Sequence, residues 1–380
     1  MFFIAFFIVA VACSTITIKT LVGYSDIKLI GKISISAIIL FGWFAPLLIS
    51  ILKHISWLSP KVFSMISFGG YTLLGFVFII FCLLMLRDIT WYGIYGIARF
   101  IGVDNWSINP KNISVLSYAN IIVVLLSLII GSYALYEGLK IPEINNITIE
   151  TPLIKRNLRL IHLSDLHIDR TTPVSRINKI VEKVESLGPD VILITGDLID
   201  DDSTVLDEQL AALKELNAPY GVYVSIGNHE LYNGLYPWIY KYGKMAFKVL
   251  LNQGETVANE IFLSGIPDAH TANLYPNHNI NLIRSLEGSH QKQFRVLMSH
   301  NPEIVNSISS YNYQLVLSGH THGGQIFPFH IFVKKANQYL SGDYKVNGIH
   351  LHVSPGAGTW GPNMRLFAPS EIAVIDLVKK

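Results

Sequence analysis

Four stretches of this chain carry no charged side chain and are almost wholly apolar: Met1–Ile18, Ile33–Leu52, Val62–Leu86 and Ile113–Tyr136. Each is close to the ~20 residues that a helix needs to cross a hydrocarbon core of about 30 Å. Backbone polar groups in lipid have no water to bond, so runs of this kind are confined to helices. The pattern predicts a transmembrane bundle of four helices in residues 1–140. Over all 380 residues, 51% are hydrophobic and only 15% charged, which a soluble domain would not show. The first run lacks the positive flank of a secretory signal, so it is read as a span. Pro46 in the second run fits a membrane helix, where neighbours re-satisfy the freed carbonyl. Cys13 and Cys82 both fall inside apolar runs and read as small hydrophobes, with no disulfide or Cys-metal framework implied.

Four spans put both chain ends on one side of the membrane. Lys19, Lys28, Lys32, Arg87, Arg99 and Lys111 border one side, against Lys53, Lys61 and Lys140 on the other. The positive-inside rule then places the C-terminal domain outside the cytoplasm, with Lys155, Arg156 and Arg159 counting against it. Trp91, Tyr92, Tyr95, Phe100 and Trp106 within Asp88–Trp106 suggest an interfacial helix. Residues 141–157 read as a polar linker and 158–380 as the second domain. Residues 151–380 hold 20 Lys/Arg against 21 Asp/Glu, which argues against a duplex-DNA surface, and no specific nucleic-acid partner is expected.

From Leu158 onward short apolar strands alternate with helical patterns, an α/β arrangement. The strands are Leu158–Leu163, Val191–Ile194, Gly221–Ile226, Phe294–Met298 and Gln314–Leu317; helices are expected over Val174–Leu187, Thr204–Leu216 with Ser203 as N-cap, and Tyr236–Leu251. Every one of these strands runs into a polar motif. In order they are Asp165-Leu166-His167, Gly196-Asp197-Leu198-Ile199-Asp200, Gly227-Asn228-His229-Glu230, Ser299-His300-Asn301-Pro302 and Ser318-Gly319-His320-Thr321-His322-Gly323-Gly324-Gln325. Each is weak alone, but five in this order are a specific signal. Imidazoles, carboxylates and an amide without cysteine suit Mn, Fe or Zn in an open site rather than a closed structural zinc site. The other histidines, among them His54, His162, His270, His350 and His352, read as structural.

The ordered set resembles the calcineurin-like metallophosphoesterase superfamily over residues 158–377, and its Gly-His-x-His-Gly-Gly-Gln ending after several spans is similar to the membrane-associated bacterial branch. The resemblance implies a four-layer α/β/β/α sandwich with two divalent metal ions between the sheets. It implies one ion on Asp165, His167, Asp197 and His322, and a second on Asp197, Asn228, His300 and His320. A shared carboxylate such as Asp197 would offset the repulsion of the two ions, and a metal-bridging hydroxide would attack phosphorus. His229 is the implied catalytic residue, protonating the leaving oxygen or stabilising the transition state. Asp200 and Glu230 are read as groups that orient histidines or loops. One departure is Asp169 after Ile168, where many members carry Gly, which touches loop shape more than metal binding.

These readings point to a membrane-anchored hydrolase of a phosphoester or pyrophosphate bond, with a phosphorylated, lipid-linked partner as substrate. A nuclease or a soluble-nucleotide phosphodiesterase is the alternative within the enzyme class, and a non-catalytic membrane sensor or scaffold is the alternative outside it. A transporter ranks last, because the apolar runs lack the buried charges of an ion path.

Overall fold

The computed structural model describes residues 2–55, 57–103, 110 and 112–380, so Trp106 and Lys111 lie outside the described residues. The chain divides into two compact units, Met1–Tyr136 with Gly361–Met364, and Glu137–Trp360 with Arg365–Lys380.

The first unit contains α1 (Phe2–Ile18), which runs into a π turn at Lys19–Gly23, then α2 (Leu29–Leu52), α3 (Pro60–Phe100) and α4 (Ile113–Leu139). All four are long and apolar enough to cross a membrane. Large apolar side chains such as Ile30, Met65 and Ile129 face outward, as the lipid-facing side of such a helix requires. The π turn widens the end of α1 and leaves carbonyls without helical partners. Asn120 of α4 donates its amide to two of them, Thr20 O and Leu21 O, each at 3.1 Å, and accepts from Arg87 of α3.

Of the stretch expected as an interfacial helix, Asp88–Trp106, the described residues to Phe100 are helical, but they do not form an element of their own. Instead α3 continues without a break for 41 residues, roughly 60 Å at 1.5 Å per residue. No proline or glycine stands between Leu86 and Trp91 to stop propagation, and the charges that ended the apolar run neutralise each other, Arg87 Nη2 lying 2.6 Å from Asp88 Oδ1.

The second unit is built from β1 (Glu143–Thr151), β2 (Leu158–Leu163), α5 (Val174–Ser186), β3 (Val191–Thr195), α6 (Asp207–Leu213), β4 (Val222–Ser225), α7 (Asn228–Tyr232), α8 (Leu235–Lys244), β5 (Lys248–Val249), β6 (Gln253–Val257), β7 (Ile261–Gly265), β8 (Phe294–Met298), β9 (Leu315–Ser318), β10 (Gly342–Val346), β11 (Ile349–Val353) and β12 (Glu371–Lys379). They form two mixed six-stranded sheets, ordered β1-β12-β2-β3-β4-β5 and β10-β11-β9-β8-β7-β6. Alternation along each strand divides its side chains between two cores. Leu160, Leu193, Leu263, Val296 and Leu317 fill the space between the sheets, while Ile161, Ile194 and Val224 face outward against Ile177 and Val184 of α5 and Trp238 of α8. The outer face of the second sheet is covered by a 3-10 helix, Pro302–Ser307, whose Val305 packs on Leu297 and Val316.

Three local expectations are corrected. The polar linker at 141–157 holds β1, which pairs in parallel with β12 from Glu143↔Glu371 to Thr151↔Lys379; its pairing partner lies more than 200 residues away, so no local pattern announces it. The helix expected over Thr204–Leu216 is only Asp207–Leu213, because the Asp202 carboxylate takes the Thr204 N–H and hydroxyl in a local turn. The helix expected over Tyr236–Leu251 ends at Lys244; Ala246 turns the chain at φ 61°, and Lys248–Val249 joins the sheet edge.

One buried charge cluster joins the sheets. His352 of β11 donates Nε2 to Glu371 of β12 at 2.8 Å and Nδ1 to Asp343 of β10 at 3.2 Å. Burial pushes this imidazole down, but Asp343 and Glu371 outweigh burial and raise it to about 9. A raised histidine contributes stability that is complete below its ordinary value near 6.5 and is lost as pH rises through about 9. The contribution is at most about 3 kcal/mol. The melting temperature should therefore fall from about pH 7 to about pH 10, and His352→Gln should flatten that decline; equal slopes in the two proteins would show that the cluster does not hold the sheets together.

Candidate metal centre

Three parallel strands of each sheet, β2, β3 and β4 and then β7, β8 and β9, point their carboxyl ends at one place. Loops at such ends converge while the sheets hold them rigid. The residues immediately beyond β2, β3, β4, β8 and β9 are the five motifs.

Asp165, Asp197 and His300 are fully or almost fully buried, as are His167, Asn228 and His322. His167 Nε2 lies 2.9 Å from His322 Nε2 and 3.7 Å from Asp197 Oδ2, and His322 Nε2 lies 3.4 Å from Asp165 Oδ1. On the other side of Asp197, its Oδ2 is 3.1 Å from His300 Nε2. Asn228 Oδ1 and His320 Nδ1 lie 3.1 Å apart. The structure thus brings together all seven residues for which a metal role was expected, with Asp197 in the middle. Donor atoms of Asp165, His167 and His322 lie within 4.8 Å of one another, as do those of Asp165, Asp197 and His300. His300 shows the fit most directly: Nδ1 donates to Thr195 O at 2.8 Å, which turns the buried Nε2 inward against Asp197 Oδ2 at 3.1 Å. Two imidazole nitrogens facing each other at 2.9 Å and a carboxylate against three histidines suit one or more cations.

Backbone geometry supports this. Asp165, His167, Asp197, His320 and His322 all have φ between 47° and 72°, a left-handed conformation uncommon for residues with a Cβ. Such conformations cost of order 1–3 kcal/mol each and persist where the surroundings enforce them. The enforcement is visible. Glu230 is fully buried and accepts from the N–H groups of Asp197, Leu198 and Gly227 at 2.8–3.0 Å and from the Tyr242 hydroxyl at 2.9 Å, so it clamps two metal loops together. The His320 N–H reaches both Asp165 oxygens, at 3.0 and 3.1 Å. At Gly319 a Cβ would collide with Ser164 Oγ and Asp165 Oδ2, so this close approach requires glycine. Behind the centre the buried guanidinium of Arg365 donates to the carbonyls of Pro355, Gly358, Ala368 and His322, folding the last loop around the site.

His229 stands at the mouth. Its Nδ1 is 2.6 Å from Asp200 Oδ1, its N–H donates to Asp197 Oδ1 at 2.8 Å, and its Nε2 is 3.9 Å from Asp197 Oδ2. Tyr232 and Trp360 meet the His229 ring edge-on, with centroids at 5.7 and 6.2 Å. Gln325, the last residue of the fifth motif, exchanges two hydrogen bonds with the Trp360 backbone. Sequence reasoning missed Tyr232, Trp360 and Arg365, which stand in no motif. It also missed Asp268, which follows β7 as the motif residues follow the other five strands; a sixth strand ending on a carboxylate was the available signal.

Electrostatics agree with the geometry. Burial pushes Asp165 up, but His322, His167 and His300 outweigh it and hold the carboxyl well below the usual range; burial is likewise outweighed at Asp197, first by His300 and then by His229. Burial pushes His167 down, but Asp165 and Asp200 raise it to about 10; at His300 Asp197 and Asp165 raise the imidazole well above its ordinary value. Protons on these two histidines stand in for cationic charge. Burial keeps His320 and His322 low, in the neutral form that ligates metal.

Fold and cluster together define a two-sheet α/β domain with a His/Asp centre at its strand ends. The family model described as calcineurin-like phosphoesterase matches residues 158–324. The chain is 34% identical over 263 residues to an uncharacterized metallophosphoesterase of Campylobacter jejuni, covering 68% of this chain and 69% of that protein. A transmembrane protein with metallophosphoesterase domain from Danio rerio is 30% identical over 273 residues, 68% of this chain and 62% of the relative. Among solved structures, TT1561 of Thermus thermophilus matches 53% of this chain and 90% of its own at 12% identity and a TM-score of 0.38. The chain spans about two thirds of the length of the two sequence relatives. It belongs to the calcineurin-like metallophosphoesterases, and it is a multi-pass membrane protein.

If His167 and His300 hold protons in the metal-free protein, metal must displace them. Loading at neutral pH should release about two protons, and apparent metal affinity should rise with pH. Titration calorimetry in two buffers of different ionisation enthalpy checks this; heats independent of buffer would refute the charge assignment.

Proposed function

We propose that this protein is a membrane-anchored phosphoesterase that hydrolyses a phosphoester or pyrophosphate bond of a lipid-linked or membrane-proximal substrate at a dinuclear centre. The observation that carries the hydrolase reading is the overlap of the buried donor groups at Asp197, with the partly exposed His229 beside them. Asp165, His167, Asp197 and His322 would hold one ion, and Asp197, Asn228, His300 and His320 the other. When bound, two ions of Mn, Fe or Zn supply stabilisation of phosphoryl charge and activate water near neutral pH. Asp200 fixes His229 through Nδ1, so that Nε2 faces the centre. Proton donation to a leaving oxygen follows from that placement. Tyr232 and Trp360 would hold the rest of the substrate at the rim.

The lipid-proximal reading is supported by the segment that follows His322. Phe327, Phe329, Ile331 and Phe332 are exposed, and Phe367 is 78% exposed. Phe327 meets Phe367 at 5.7 Å and Phe329 meets Phe332 at 6.0 Å, so these residues form a patch rather than isolated contacts. Contiguous exposed apolar surface of this kind marks a membrane or ligand surface. Lysine and arginine placement around the spans supports a catalytic domain outside the cytoplasm; protease added to intact cells should then cleave the domain, and complete protection would reverse the orientation.

Hydrolysis is tested with detergent-purified protein and added Mn²⁺, using bis-p-nitrophenyl phosphate, p-nitrophenyl phosphate, a nucleotide-linked lipid and a polyprenyl pyrophosphate. Asp197→Ala should abolish turnover. His229→Ala should lower kcat about 10²–10⁴-fold with metal content retained. Preference for soluble nucleotides would reject the lipid substrate, and a fully active His229→Ala would reject its role.

A further inference from the structure

The sixth converging strand end carries a carboxylate that the seven-residue set leaves out. β7 is parallel to β8, the strand that delivers His300, and beyond β7 the chain continues through Ile266 and Pro267 to Asp268. The Ile266 N–H donates to Met298 O at 3.2 Å and the Asp268 N–H to Ile226 O at 3.0 Å. Asp268 is therefore fastened both to the His300 strand and to the loop that carries Asn228.

Its side chain is fully buried. Oδ1 accepts from the His270 N–H at 2.8 Å and from His270 Nδ1 at 2.6 Å. Oδ2 is buried and has no hydrogen-bond partner among the described residues. A buried carboxylate oxygen left in this way is costly unless it meets a cation. The donor atoms of Asp268, His300 and His320 lie within 4.8 Å of one another, so this carboxylate belongs to the half of the centre formed by Asn228, His300 and His320. The burial that would push this carboxyl up is outweighed by His270 and then by His300, which keeps it ionised.

We infer that Asp268 is a further ligand of the second metal ion, and that His270 is a positioning residue that occupies Oδ1 and so turns Oδ2 toward the ion. This rests on the dinuclear reading above. A second carboxylate beside the shared Asp197 gives this half of the centre a harder, more negative donor set, which suits Mn²⁺ or Fe²⁺ over a low-coordinate Zn²⁺. His270 acts on the ion only through Asp268; its ring is half-exposed and stacks edge-on to Tyr232 at 6.0 Å, which links the mouth to the ligand.

The test is Mn²⁺ binding to the full-length protein in detergent, read by calorimetry and by the spin-coupled electron paramagnetic resonance of a metal pair. Wild type should bind two ions with a coupled signal. Asp268→Ala should lose at least about tenfold in affinity for one ion only and show an uncoupled signal, and His270→Ala should show a smaller loss of the same kind. Asp268→Asn keeps the side chain's shape, so a weakened second ion there, in protein with an unchanged melting temperature, separates ligation from misfolding. Two ions at wild-type affinity in both Asp268 variants would overturn the assignment while leaving the dinuclear reading intact. A wild type that binds fewer than two ions would overturn the dinuclear reading itself, and this assignment with it.

Discussion

Concentrated buried charge is the constraint around which the second unit is arranged. Asp165, Asp197 and Asp268 are withdrawn from water within a few ångströms of five histidines, and a carboxylate in such a place is tolerable only beside a cation or its equivalent. Much of the local structure follows from holding these groups where they attract histidines or metal. Glu230 ties the Asp197 loop to the Asn228 loop, the His320 N–H grips Asp165, and five of the proposed ligands sit in left-handed backbone that nothing but the closed arrangement would keep. At His167 and His322 the left-handed backbone coincides with a buried ring nitrogen that has no hydrogen-bond partner among the described residues, as expected where local stability has been given up for chemistry.

The two sheets supply the rigidity that this arrangement needs. A single parallel sheet would present its strand ends in one row, with ligands on one side of a bound ion. Two sheets packed on Leu160, Leu193, Val296 and Leu317 bring two rows of three strand ends face to face. Asp197 comes from one row and His300 from the other, and they meet at 3.1 Å. The same packing carries the His352–Glu371 ion pair between the sheets. Different rules govern the first unit: its helices expose apolar side chains outward, and their few internal polar groups, Asn120 and Arg87, bond to each other and to carbonyls freed by the π turn.

Much of this was legible along the chain because it depends on local pattern. Twenty-residue uncharged runs have one physical solution in lipid, and the alternation of short apolar strands with polar motifs marks both the strands and the residues at their ends. The failures have equally physical causes. β1 was invisible because its pairing partner is β12, at the far end of the chain. The helix runs on past the end of the apolar run at Leu86 because a neighbouring Arg87–Asp88 pair costs it little. Helix starts moved where a side chain, Asp202, offered the backbone a competing bond.

The sequence by itself determined that four segments belong in lipid, that the remainder is an α/β domain, and which seven side chains offer metal-binding chemistry, since each of these is written in residue type, spacing or order. Only the tertiary structure decided which donor atoms face one another, that Trp360 and Tyr232 flank His229, that Arg365 is caged by carbonyls behind the site, and that Asp268 joins His300 and His320. Those facts depend on distances between loops from two different sheets, and such distances arise only when the sheets pack.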